Sequence, residues 1–454
     1  MELQGKRVLV IGLAKTGEAL CRFLLGKGAV VTVVDKQSED KLGPRVRRWR
    51  ERGVTVVAGS QDPKVFLDTD LIVPSPGVPP LPEIEAARAK GVTVLSELEV
   101  AYRHLKGTLV GITGSNGKST TTTLTHKILK DAGLKAVLTG NIGWPLISFA
   151  AASRPDQVFV TEISSFQLNY TERFKPAVAA FLNISINHID WHGTFESYLE
   201  AKKKLLRNLD AGDAAVLNRD DPVVWPLREM GPFATFGFSR RRAVVPGCAV
   251  RDGALIVADE KGKRTELMRL ADIPLPGAHN WENVMAAALM ARRLGVPLPR
   301  IRRSVKDFHG LEHRLEKVLA LKGVTFINDS KATTVDATIK ALESFSSKVV
   351  VILGGKDKGA DFTLLRKPMR GRVRKAVLIG QAKDKIRAAL QGFAPLEDAP
   401  SLREAVRVGF ESAGRGDVVL LAPACASFDM FKNFEDRGRA FKREVRRLAE
   451  RLRG

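Results

Sequence analysis

The segment that most restricts how this chain can fold is Gly111-Ile-Thr-Gly-Ser-Asn-Gly-Lys118-Ser119-Thr120. An apolar run precedes it and a helix-forming run succeeds it. The pattern predicts a buried strand over Thr108–Thr113, a glycine turn, and a helix over Lys118–Ala132. A strand that gives way to a helix through such a turn commits the chain to an α/β layer. Backbone N–H groups in the turn, together with the helix N-terminus, form a cradle for phosphate oxygens. Lys118 can neutralise β and γ phosphates, and the Ser119 hydroxyl can sit on Mg²⁺. The spacing departs from Gly-x4-Gly-Lys-Ser/Thr, because Ile112 stands where the first glycine belongs and Gly114 is nearer. An ATP site is expected at Gly114, Ser115, Asn116, Gly117, Lys118, Ser119 and Thr120.

At 454 residues the chain is long enough for two to four domains, at roughly 100–200 residues each. Before the glycine loop, Arg7–Gly12, Val30–Asp35 and Leu71–Pro74 read as strands and Glu18–Lys27 as a helix. After it, strands are expected at Gln157–Thr161 and Ala177–Ile184, with a helix at Glu282–Leu294. A further α/β unit starts near Leu311, with strands at Thr325–Asn328, Lys348–Leu353, Lys375–Ile379 and Asp417–Leu421 and a helix at Phe441–Leu452. The expected architecture is α/β in three domains. They are a Rossmann-like module at 1–98, a P-loop ATPase-like module with a parallel or mixed sheet at 99–310, and a Rossmann-like module at 311–454.

Hydrophobic residues at 44% and charged residues at 27% are ordinary globular usage and argue against disorder. The net charge of +23 favours anionic partners or simply a solvated basic surface, with clusters at Arg45–Arg52, Lys202–Lys204, Arg240–Arg242 and Lys442–Arg453. Aromatic residues at 6% leave few stacking platforms, which argues against nucleic acid as the partner. Cys21, Cys248 and Cys425 form no disulfide framework or paired metal spacing, in keeping with a reducing, cytoplasmic setting. No stretch reaches the ~18 apolar residues of a membrane helix, and no secretory leader is evident.

A second glycine turn, Gly12-Leu-Ala-Lys-Thr-Gly17, carries Ala14 where Gly-x-Gly-x-x-Gly has its middle glycine. Asp35 ends the next strand, where a dinucleotide fold holds a ribose. The turn serves either a nucleotide-type ligand or close strand–helix packing. On this module alone a nicotinamide oxidoreductase competes.

Segments across all three modules resemble the Mur ligase family: Thr113–Thr120, Glu162-Ile-Ser-Ser-Phe-Gln-Leu168, Asn183–Asp190, Tyr198–Lys202, Gly277–Asn283, His313-Arg314, Asn328–Thr333, Gly354–Lys358 and Ala422–Gly438. The last run is the most discriminating and is similar to the D-glutamate-adding branch. The resemblance implies two Mg²⁺ sites, with Mn²⁺ as an alternative ion, held by Ser119, Glu162, His188 and Lys202. Oxygen ligands suit Mg²⁺, whereas imidazole alone suits it poorly. A free ammonium would repel the ion, so the resemblance implies that Lys202 is carbamylated; an ordinary solvated lysine is the plain reading. Lys118, His188 and Lys202 are the implied catalytic residues. Asn280, Asn283, Arg314, Asp329 and Lys331 are implied for ATP. Thr16, Asp35, Ser75, Gly77, Asn141 and Ser164 are implied for a UDP-linked substrate, although Ser75-Pro-Gly77 equally makes a turn. Thr333, Lys358, Ser427, Phe428 and Phe434 are implied for D-glutamate. By spacing alone, His279, Asn280 and Asn283 share a helix face, and Phe434 reads as core. Two departures stand out: Thr334 where the family has Asn, and Asn187 where an acid is usual.

The glycine loop and the resemblance together imply an ATP-dependent, acyl-phosphate-forming ligase that joins D-glutamate to UDP-N-acetylmuramoyl-L-alanine for peptidoglycan precursors. It is expected to be monomeric, with its domains closing around small-molecule substrates. A ligase of the same superfamily with another amino acid or folate, a nicotinamide oxidoreductase, and a basic nucleic-acid-dependent ATPase are the rivals.

Overall fold

In the computed structural model, which describes residues 1–60, 62–357 and 359–452, the apolar runs become three sheets. The first has the spatial order Thr55–Ala58, Val30–Asp35, Arg7–Ile11, Leu71–Pro74, Thr93–Val94, every neighbour parallel. Its strands are buried on both faces. Val8, Val10, Val31 and Val33 pack with Leu20, Leu24 and Trp49 on one side, and Leu9, Ile11 and Ile72 with Phe66 and Ile84 on the other. This is why they read as continuous apolar runs rather than alternating ones.

In the second sheet Thr108–Thr113 lies between Gln157–Glu162 and Val178–Phe181, parallel to both. Lys135–Gly140 forms one edge of this sheet. Beyond Val178–Phe181 the order continues through Ala214–Asn218 and Ala234–Ser239 to Gly247–Arg251, Ala254–Ala258 and Arg264–Arg269. The last two ladders are antiparallel, a mixed extension that the apolar runs of the sequence do not locate. These are short strands linked by Asp252-Gly253 and Gly262 turns, and they give a weaker signal than the longer apolar runs. The third sheet runs Glu316–Leu321, Val324–Asn328, Val418–Leu421, Val349–Gly354, Val373–Ile379, Leu396–Asp398 and is parallel except for its first strand.

The expected strands recur within a few residues. The helices begin earlier than expected: Lys15–Gly26, His279–Arg293 and Phe434–Arg451. The terminal one is capped by Asn433, whose side chain accepts from Asp436 N at 2.7 Å, so Phe434 opens a helix rather than filling a core. No helix of the described residues is long and apolar enough to cross a membrane.

The chain separates into two compact units, Met1–Asp272 with Trp281–Val305, and Ile273–Asn280 with the residues from Lys306 onward. The first unit contains the first two sheets, joined by the helix Glu97–Tyr102. That helix sends two buried carboxylates across the joint. Glu99 Oε2 accepts the backbone N–H groups of Glu172, Arg173 and Phe174 at 2.9, 3.0 and 2.9 Å, while Oε1 pairs with Arg103 at 2.6 Å. Glu97 Oε1 accepts from Ile147 N at 2.7 Å, but Oε2 is buried without a partner among the described residues.

Burial pushes the Glu97 carboxyl up to about 7. A raised folded-state value favours the protonated form, so the stability it contributes is whole below about 4.5 and lost as pH rises through about 7. Glu97→Gln is therefore expected to be more stable than the parent at pH 8 by on the order of 3 kcal/mol, and to unfold at a higher temperature. The gap should close towards pH 4.5, the ordinary value of a glutamate carboxyl. Calorimetry across this range checks it, and a gap independent of pH would contradict it.

Candidate functional site

The strand Thr108–Thr113 ends against the glycine loop in the interior of the second sheet, and the helix Lys118–Asp131 starts at once. Gly114 and Gly117 have φ of +154° and +81°, which favour glycine. A Cβ on Gly117 would lie 2.3 Å from Asn283 Oδ1, and one on Gly114 would lie 3.1 Å from the Leu182 side chain. The helix start has no side-chain cap, so its first N–H groups face the loop.

The loop is held from outside. Ser115 N donates to Asn183 O at 2.9 Å, and Asn183 exchanges side-chain bonds with the Asn116 backbone at 2.8 and 3.1 Å. Ser115 Oγ meets Tyr198 OH at 3.0 Å and accepts from Ser185 N at 3.0 Å. Lys118 Nζ donates to Gly114 O at 2.7 Å and Ser115 O at 2.8 Å, so its charge lies over the cradle. Thr121 Oγ1 donates to Asn283 Oδ1 at 3.1 Å, tying Asn283 to this helix.

Glu162 is the last residue of an internal strand, opposite Ile112 and Gly140. It is thus at the C-terminal rim of the sheet and buried, not on an edge strand. Its Oε1 accepts from Asn141 Nδ2 at 2.8 Å, and its Oε2 is buried without a partner among the described residues. Such an oxygen is expensive to bury and asks for a cation. Ser119, also buried, stands in the first turn of the helix. An oxygen-only set of Glu162 carboxylate and Ser119 hydroxyl fits Mg²⁺.

Lys202 is fully buried, and its Nζ donates to Thr113 Oγ1 and Gly114 O, both at 3.0 Å. Burial holds its ammonium well below the ordinary lysine range. Lys118 lowers it further, and Glu162 opposes the shift. Burial rather than neighbouring positive charge is thus the larger cause. The solvated-lysine reading does not hold, and burial favours the neutral amine.

His188 is exposed, caps the short helix Ile189–His192 with φ +54°, and lays its ring edge-on to Phe166 at 4.8 Å. Asn187, one of the two departures, accepts from His188 N at 3.0 Å through Oδ1. Ser164 caps the short helix Ser165–Leu168 reciprocally with Gln167.

In the first sheet, Gly12 has φ +90°, and a Cβ on Gly17 would lie 1.9 Å from Gly12 O, so close packing is one real role of this turn. Asp35 accepts from Leu13 N at 2.8 Å and Gln37 N at 2.9 Å. Ser75 Oγ donates to Gly12 O at 3.3 Å, and Val78 N to Ser75 O at 2.9 Å, making the Ser75–Gly77 segment a turn beside the glycines. Thr16 is half-buried at the start of the helix, and Gly77 is exposed.

The second unit brings together another set. His313 has φ +66° and accepts from Lys331 N at 3.1 Å through its carbonyl, which places Arg314 and Lys331 on adjoining turns. Asp329 is buried, accepts from Leu315 N at 3.3 Å, and is pushed up to about 7 by burial against the opposing pull of that N–H, Arg314 and Lys331. Lys331 Nζ lies 5.3 Å from the Phe434 ring. Thr333 is half-buried, Ser427 buried and Phe428 exposed. Thr334, the other departure, caps the helix Val335–Glu343 by accepting from Ala337 N at 3.3 Å, a task Asn performs equally well. Lys358 lies outside the described residues. Asn280 clusters with this unit and donates to Pro276 O at 2.6 Å, whereas Asn283 belongs with the glycine loop.

The sequence alone assigns no role to Thr113, Asn183, Tyr198 or Ser330. Position is the signal that could have found them: each follows or faces the C-terminal end of a parallel strand, where ligands bind in open α/β sheets.

Comparison with known proteins shows the family. The chain matches the Mur ligase MurD-like N-terminal domain over residues 6–96, the Mur ligase middle domain over 112–291, and the Mur ligase glutamate ligase domain over 313–425. It is 47% identical to the UDP-N-acetylmuramoylalanine–D-glutamate ligase of Koribacter versatilis over 99% of both chains. It is 42% identical to the enzyme of the same name from Caldanaerobacter subterraneus, over 98% of this chain and 99% of that one. Among solved structures, the UDP-N-acetylmuramate–alanine ligase of Thermotoga maritima superposes with a TM-score of 0.61 at 18% identity, over 98% of this chain and 100% of that one. The MurF ligase of Thermotoga maritima in complex with ADP gives 0.58 at 18% identity, over 99% and 97%. These likenesses in structure show a shared fold.

With its basicity depressed by burial, Lys202 is expected to react with cyanate at pH 7.5 ahead of its neighbour Lys203. Peptide mass spectrometry after brief exposure reads this directly. Earlier labelling of Lys203 would contradict the depressed basicity.

Proposed function

The chain belongs to the Mur ligase family, and from that premise we propose that it joins D-glutamate to UDP-N-acetylmuramoyl-L-alanine at the expense of ATP, in peptidoglycan precursor synthesis. The single observation that carries the site assignment is the glycine loop Gly114–Gly117 with Lys118 bonded across it and the half-satisfied Glu162 carboxylate nearby.

The reaction must turn a carboxylate into an electrophile. The alanyl carboxylate attacks the γ-phosphorus of ATP, the bond to the β,γ-bridging oxygen breaks, and ADP leaves an acyl phosphate. The D-glutamate amine then adds to the acyl carbon. The tetrahedral adduct loses a proton from nitrogen and expels inorganic phosphate as the amide forms. Two anions have to meet in the first step, so positive charge at the loop is the main requirement. Lys118 supplies it by exchanging the carbonyls of Gly114 and Ser115 for phosphate oxygens. Backbone N–H groups of residues 114–120 hold the phosphates, and Asn283 braces the loop through Thr121.

Mg²⁺, or Mn²⁺ in its place, would be held at Ser119 and Glu162 and at a second position by His188 and Lys202, where it would screen phosphate charge. The buried amine of Lys202 is suited to condense with CO₂, which would convert it into an anionic oxygen donor. On this reading Thr16, Asp35, Ser75, Gly77, Asn141 and Ser164 hold the UDP-linked substrate. Asn280, Arg314, Asp329 and Lys331 serve the nucleotide. Thr333, Lys358, Ser427, Phe428 and Phe434 serve D-glutamate. Residues 1–98, 99–310 and 311–454 are the corresponding domains, and the ATP requirement supports a cytoplasmic setting.

Phosphate release in the presence of Mg²⁺, ATP and UDP-N-acetylmuramoyl-L-alanine should require D-glutamate, with the product confirmed by mass; equal release without the amino acid refutes the activity. Lys118→Ala is expected to lower kcat/KM by about 10³ or more. Glu162→Gln should raise the Mg²⁺ concentration needed for half-maximal rate by about tenfold or more. An unchanged Mg²⁺ dependence would remove Glu162 from the metal set.

A further inference from the structure

Arg437 is among the largest fully buried side chains of the protein, at 1% exposure. Its guanidinium donates to Ser330 Oγ at 3.0 Å, Ser330 O at 2.9 Å, Cys425 O at 3.1 Å and Ala426 O at 3.3 Å. Every one of these acceptors is neutral, and among the described residues no carboxylate pairs with Arg437. Asp429 is the acid that faces it. Its Oδ2 is used by Gln381 N at 3.0 Å, and its Oδ1 is buried without a partner among the described residues. A buried cation without a bonded counter-ion is costly, and a hydrophobic side chain would fill the space more cheaply.

The acceptors explain its presence. Ser330 separates Asp329 from Lys331, and Ala426 precedes Ser427. Ser330 Oγ also donates to Phe434 O at 2.8 Å. The Ala426 carbonyl is shared with Lys356 N at 2.9 Å. Gly355 is needed there, because a Cβ would lie 2.2 Å from Ala426 O and 3.1 Å from the guanidinium. Arg437 therefore fastens together three segments that carry the residues proposed for nucleotide and amino acid. The planar fork is what allows one side chain to bond two loops, which an ammonium cannot do in the same geometry. Burial lowers its basicity only to about 10, so the charge persists at neutral pH.

We infer that Arg437 is a positioning and specificity-determining residue for the acceptor amino acid. It aligns the loops at Ser330 and Cys425-Ala426, and its charge, faced by Asp429 but bonded to no carboxylate among the described residues, favours a doubly anionic amino acid over a neutral-side-chain analogue. The inference rests on the reading that D-glutamate is the acceptor.

The test compares kcat and KM for D-glutamate and D-glutamine in the full-length parent and in Arg437→Met, Arg437→Lys and Asp429→Asn. Arg437→Met is expected to reduce the preference for D-glutamate by about tenfold or more, chiefly through KM. Arg437→Lys, which keeps the charge but not the fork, should recover that preference in part while kcat stays below the parent's. Asp429→Asn, which removes the opposing charge, should shift the preference the other way and lower KM for D-glutamate, giving a readout that survives if Arg437→Met fails to fold. An unchanged preference in Arg437→Met, a lysine variant that behaves like the methionine variant, or an Asp429→Asn preference that does not rise would each overturn the inference. A parent protein that accepts no D-glutamate would instead overturn the functional reading beneath it.

Discussion

A strand that ends at a phosphate cradle has to leave its terminal backbone groups turned toward a ligand, and so cannot secure the loop with its own ladder. Here that security comes from side chains on neighbouring segments. Asn183 takes both sides of the Asn116 backbone, Tyr198 reaches Ser115, and the buried amine of Lys202 bonds Thr113 and Gly114. The consequence extends beyond the loop. Burial of Lys202 lowers its proton affinity, its two hydrogen bonds to Thr113 and Gly114 make that burial tolerable, and the same environment favours the neutral amine beside a carboxylate with a spare oxygen.

The buried strands and the glycine loop are legible from sequence because parallel strands covered on both faces leave unbroken apolar runs and because the loop needs glycine at defined places. The antiparallel strands Gly247–Arg251, Ala254–Ala258 and Arg264–Arg269 are not, since the first two are five-residue apolar pieces too short to tell from a helix segment and the third is mostly exposed and charged. Helix starts expected at Glu18, Glu282 and Phe441 fall too late for a related reason. The true first turns, Lys15-Thr-Gly-Glu18, His279-Asn-Trp-Glu282 and Phe434-Glu-Asp-Arg437, are mostly polar and so carry little apolar periodicity. Lys202 is the sharpest contrast: three consecutive lysines suggest a solvated face, but helical rotation from Phe195 turns only Lys202 fully inward.

In the second unit the division of labour is different. The residues that would touch ligands lie on turns after Val324–Asn328 and Val418–Leu421, adjacent parallel strands, so their alignment depends on a strut beneath them rather than on a single loop. The turns are recognisable in the sequence through resemblance, and Arg437 lies within the same Ala422–Gly438 run, but its bracing role is not legible there, because an arginine in a helix rich in exposed charges looks like one more surface cation. Many of the other basic residues do pair at the surface, as Arg47 does with Glu51 and Arg50 with Glu39. Such exposed pairs contribute little to stability.

The near-collision between position 117 and Asn283 Oδ1 reaches into the evolution of the site. Any side chain at 117 would have to displace an oxygen already engaged by Thr121, and shortening residue 283 to clear the space would unfasten that threonine. The two positions, 166 residues apart along the chain, thus behave as a single heritable character: each constrains what drift can do to the other, and a designer would have to vary them as a pair.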